Sequence, residues 1–109
     1  MPAHDFTALY AHYPSVIAHM PPTFTSHEFI LRLAHQYQDL YVDALASYRT
    51  TRRQNTPAPF LVVHGVLSKR LMTLSNLVRY DGEAQSSEDI FRQSKGCAKW
   101  KKVEPAHAL

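Results

Sequence analysis

The stretch Phe60-Leu-Val-Val-His-Gly-Val-Leu-Ser-Lys-Arg-Leu-Met-Thr-Leu-Ser-Asn-Leu-Val-Arg-Tyr-Asp-Gly82 decides the reading of the chain. At about 100° per residue, Phe60, Val63, Leu67, Leu71 and Leu74 fall on one side, the apolar stripe of a helix packed against a core. Gly65, Lys69, Met72 and Asn76 then face the other way. After Asn76 the pattern changes. Leu77-Val-Arg-Tyr80, closed by Asp81-Gly82, and later Ala98-Lys-Trp-Lys-Lys-Val103 alternate apolar and polar residues, the period of a strand. Trp100 shares a strand face with Ala98 and Lys102, opposite Lys99, Lys101 and Val103, and its indole is expected to anchor the ribbon to the helices.

Working outward from this stretch, the N-terminal half reads as support. Asp5 to His12 suits a short helix, and Pro14 starts a second turn that Met20-Pro-Pro22 stops. Thr23-Phe-Thr25 is short and extended, with Phe24 directed into the core. Thr25-Ser-His-Glu28 is a capping box and opens a helix whose apolar positions run from Phe29 to Tyr48. The spacing predicts one continuous spine of about 22 residues, roughly 33 Å long. Arg49 to Pro59 is a polar, basic connection in which Thr56 and Pro57 are expected to launch the Phe60 helix. Between the candidate strands, Ser87 before Glu88-Asp89 is expected to cap one helical turn anchored by Ile90 and Phe91. Residues 1–104 read as a single domain and 105–109 as a frayed tail.

A helix with a small, polar and basic outer face, followed by a ribbon carrying lysines, resembles the recognition helix and wing of the winged-helix superfamily. The likeness is one of pattern, without a signature motif. It implies a mainly α fold with a small β-ribbon (α+β): three or more helices and a C-terminal two-stranded wing. The expected partner is duplex DNA. Ser68, Lys69, Met72 and Asn76 would face bases, and Arg70, Arg79, Lys99, Lys101 and Lys102 would hold phosphates, with Arg49, Arg52 and Arg53 adding attraction from the loop. The rival is a protein-interaction module on the same fold, docking a partner on the spine helix or the Met72 surface.

Composition and charge are compatible with both. The chain has 109 residues, 45% hydrophobic and 19% charged, with three glycines, an ordinary globular balance that suits helices. Charge is unevenly spread. Residues 1–48 carry Arg32 against four acids, a net of −3, whereas residues 49–109 carry eleven Lys/Arg against five acids, a net of +6. Such a split suggests a surface facing polyanions. The single cysteine, Cys97, cannot form an internal bridge. There is neither a signal-peptide pattern nor an apolar run long enough to span a membrane, so a cytoplasmic, soluble protein is expected.

Catalytic and metal-binding patterns fail on spacing. His27-Glu28 opens like a zinc-protease motif, but position 31 is Leu31. His27 and His35 are too far apart on a straight helix to share one ion, and no cysteine pair supplies other ligands. His12, Cys97 and an acid lack a nucleophile motif. Three glycines build no phosphate-binding loop. The expectation is therefore a non-enzyme without a cofactor. Gly65 is the exception that asks for a reason, because glycine inside a helix costs about 1 kcal/mol relative to alanine.

Overall fold

A computed structural model describes residues 4–89 and 91–103. The expected frayed tail at 105–109 and the expected anchor Ile90 lie outside those residues. The fold is α+β. In chain order the elements are α1 (Thr7–Tyr10), α2 (Tyr13–Ala18), β1 (Thr23–Thr25), α3 (Ser26–Gln36), α4 (Gln38–Ser47), β2 (Arg52–Arg53), β3 (Thr56–Pro57), α5 (Pro59–Leu71), β4 (Val78–Glu88) and β5 (Ser94–Lys102). β1, β5 and β4 form an antiparallel sheet in that spatial order, and β2 pairs with β3 in a separate ribbon. No helix among the described residues is long and apolar enough to cross a membrane.

The core lies between the helices and one face of the sheet. Leu9, Tyr13, Val16, Phe24, Phe29, Leu33, Val63, Leu67, Leu71, Val78 and Trp100 are its largest fully buried side chains. Sheet register explains the last of these: Phe24 on β1 pairs with Trp100 on β5 and both are buried against the helices, while Tyr80, Trp100's partner on β4, is about half exposed. Tyr13 is buried to the ring's end, where its hydroxyl donates to the Leu67 carbonyl at 2.6 Å and ties α2 to α5.

The capping box forms as the sequence predicts. Glu28 N–H donates to Thr25 Oγ1 at 3.2 Å, and Thr25 N–H donates to the Glu28 carboxylate at 2.8 Å. The spine does not run on unbroken. Tyr37, at φ −128° and ψ 56°, leaves helical geometry and divides it into α3 and α4. Two local gains accompany the break: the Tyr37 ring stacks on His12 at 3.8 Å, and Gln38 Nε2 donates to the His35 carbonyl. The two halves also serve different neighbours, α3 packing on α2 and the sheet while α4 packs on α1; both meet α5. One straight rod cannot follow both directions.

Three further expectations change. Residues 52–57 form a hairpin, not an irregular link: Gln54 and Asn55 sit at φ 52° and 65°, the paired left-handed turn that matches strand twist. Thr56 and Pro57 therefore belong to β3, and Pro59 is the first residue of α5. At its other end α5 stops at Leu71. Thr73 Oγ1 donates to the Arg70 carbonyl at 2.7 Å, drawing off a backbone acceptor, and Asn76 falls in the following turn. Finally, Ser87 and Glu88 end β4 and do not cap a helix; the Asp89 carboxylate accepts from Phe91 N–H and Gln93 N–H and closes the hairpin turn.

Candidate functional site

The nine residues singled out from the sequence do not form one surface. Ser68 turns inward: its hydroxyl donates to Ser26 Oγ at 2.9 Å, and the same oxygen accepts from Trp100 Nε1 at 2.9 Å. Ser68 is thus a structural partner of the α3 N-terminus. Arg70 is half-buried with its guanidinium 4.5 Å above the Tyr10 ring, so α1 occupies it. Lys102 is on the Trp100 side of β5, as expected, but its ammonium donates to the carbonyls of Ala18 and Met20 at 3.2 and 3.0 Å. It closes the C-terminal end of α2, where unsatisfied carbonyls carry partial negative charge. Asn76 is exposed but off the helix, so it does not share a face with Lys69 and Met72. Those two stay on the open side of α5, with Met72 67% exposed.

The remaining cations converge on the sheet. Arg79 on β4 and Lys101 on β5 are directly opposed, and Thr23 on β1 completes the row. Lys99, two residues back along β5, shares their side, away from Trp100. Like charges facing each other across a sheet destabilise it by about 0.2–1 kcal/mol. The outward face of the sheet therefore gathers Arg79, Lys101 and Lys99, with the exposed Asp81 two residues past Arg79 on β4.

A second feature, absent from the sequence reading, is a cleft of about 1020 Å³ between α5, the α3 N-terminus and the two hairpins. Phe60 was expected in the core but is 37% exposed; its ring meets Phe91, 54% exposed at the tip of the long hairpin, edge to face at 4.8 Å. Behind Phe60 lies His64, whose Nε2 and Tyr41 Oη share a 2.6 Å hydrogen bond. Burial pulls His64 down to about 4, with Asp89 opposing and His27 reinforcing that shift, so the imidazole is neutral near pH 7. Burial likewise pushes Tyr41 up to about 12. The long hairpin is held over the α3 N-terminus by Ser87: its hydroxyl donates to Thr25 Oγ1, and its carbonyl lies 3.1 Å from His27 Nδ1. Gly65 forms part of the cleft wall, exposed, with nothing within 4 Å of where a Cβ would stand. Internal packing does not require it to be glycine.

Sequence reasoning had no means of finding the cleft, because its walls come from four elements joined only by tertiary contacts. The one legible hint was Gly65 itself. Among the described residues no group of three or more His, Cys, Asp or Glu side chains is placed to hold a metal ion. No family model, no curated protein and no solved structure matches this chain.

Proposed function

We propose that this chain is a winged-helix-like, non-catalytic module that binds the backbone of duplex nucleic acid. The element order supports the reading: helices, a short β1, further helices, then α5 leading into a long β4–β5 hairpin, with β5 between β1 and β4. The observation that carries it is the directly opposed pair of Arg79 and Lys101 with Lys99 beside it. A polyanion supplies the missing counter-charges, whereas an apolar protein partner would leave them desolvated and unpaired. Lys69, exposed on α5, adds a fourth contact. Base readout has less support than backbone contact, since Ser68 points inward and Asn76 is off the helix.

Salt dependence tests this directly. Each neutralised phosphate contributes about −0.9 to the slope of log affinity against log salt, so four contacts give roughly −3.5. Anisotropy titrations of a labelled random duplex at several salt concentrations measure that slope. Absence of binding at about 50 mM salt with micromolar protein would move the assignment to a protein-interaction module using the exposed Met72 and Leu61 face of α5.

A further inference from the structure

The cleft beside α5 is lined by two exposed phenylalanine rings, aliphatic side chains, amides and one carboxylate, and has cations at two of its lips. Resting on the nucleic-acid reading above, we propose that this cleft takes one unpaired nucleobase from a single-stranded segment next to the duplex, while the lip cations hold the adjoining phosphates. A nucleotide has this same division: a flat, uncharged base on an anionic backbone.

The inside is built for a flat ring. Phe60 and Phe91 touch edge to face and leave much of their surface open, so a base can stack on either. Gly65 removes a side chain from the wall at the level where the ring would lie. The amides of Gln54 on the short hairpin and Gln93 on the long one flank the opening, each able to donate to and accept from a base edge. The carboxylate that also lines the cleft, Asp89, has an oxygen engaged by two backbone amides of its own turn.

Two lips, the short hairpin and α5, carry a positive charge. Arg52 is exposed and faces Pro57, a lining residue, across the short hairpin. Lys69 follows Gly65 by one helical turn on the same side of α5. An apolar peptide segment fits the interior but leaves these two cations without partners.

The test compares two duplexes of equal length, each with a three-nucleotide single-stranded extension, one normal and one abasic. The phosphates are then the same and only the bases differ. Wild-type protein is expected to prefer the base-bearing extension by about tenfold, the scale of one stacked base. Gly65→Leu adds a side chain to the cleft wall at a position where its Cβ meets open space, and Phe91→Ala removes an exposed ring from a turn. Each should bring the preference to within about twofold while leaving affinity for a blunt duplex and its salt slope unchanged. Equal binding of both extensions by the wild type overturns the proposal and leaves the cleft to a peptide segment. A preference that persists in Gly65→Leu also overturns it. Failure to bind any of the duplexes overturns the nucleic-acid reading itself, whereas blunt-duplex binding without base preference overturns this inference alone.

Discussion

Replacing Trp100 with alanine probes how the sheet is seated on the helices. Trp100 is 2% exposed, edge-on to Tyr80 at 5.8 Å, and flanked across the sheet by Phe24. Truncating a buried aromatic side chain of this size costs about 3–5 kcal/mol. The lost indole N–H adds little, because Ser26 Oγ still accepts from Ser68. A domain of this size has about 5–15 kcal/mol of stability in all, so Trp100→Ala removes about a fifth or more of it or unfolds the chain. Ser26→Ala separates the two contributions. It deletes few atoms but leaves a buried indole N–H unpaired, a cost of about 1–3 kcal/mol. Urea denaturation followed by far-ultraviolet circular dichroism measures both, since the signal does not depend on the chain's only tryptophan. A loss below about 1 kcal/mol in Trp100→Ala, with the wild-type denaturant slope, would show that β5 is not packed on the helices as described.

Three other perturbations have definite signs. Gly65→Ala should stabilise α5 by about 1 kcal/mol, roughly 4 °C in melting temperature, because the added methyl group meets open space; a lower melting temperature would contradict that geometry. His64 is held below its usual range by burial, so the unfolded chain binds a proton that the folded one does not. Stability is full above about pH 6.5 and falls as pH drops towards 4, by at most about 3 kcal/mol given partial solvent access. His64→Gln should flatten the stability profile in that window, and an unchanged profile would exclude His64 as its source. Lys102→Met should cost about 1–2 kcal/mol by leaving the Ala18 and Met20 carbonyls without their charged donor, yet leave the salt slope of any duplex binding unaltered.

Local chemistry was the most legible part of the sequence. The capping box at Thr25 and Glu28, the short strand placing Phe24, and the face of β5 that buries Trp100 all follow from neighbours within a few residues. What depends on distant partners was not legible. The break at Tyr37 answers to His12, and the fates of Ser68, Arg70 and Lys102 were set by Ser26, Tyr10 and the end of α2. A basic residue in a sequence does not reveal whether a carbonyl or a ring elsewhere will claim it. Strand register decides the rest: only the pairing of Tyr80 with Trp100 and of Arg79 with Lys101 brings these cations into one row.

That row is best tested by replacing Arg79, Lys99 and Lys101 together with alanine and measuring duplex affinity at several salt concentrations. Removing opposed like charges from an outward sheet face should leave folding intact. If the face binds phosphates, the variant should bind more weakly on every sequence, with a salt slope shallower by about 2–3 than that of the wild type. An unchanged slope in a folded variant would contradict the assignment.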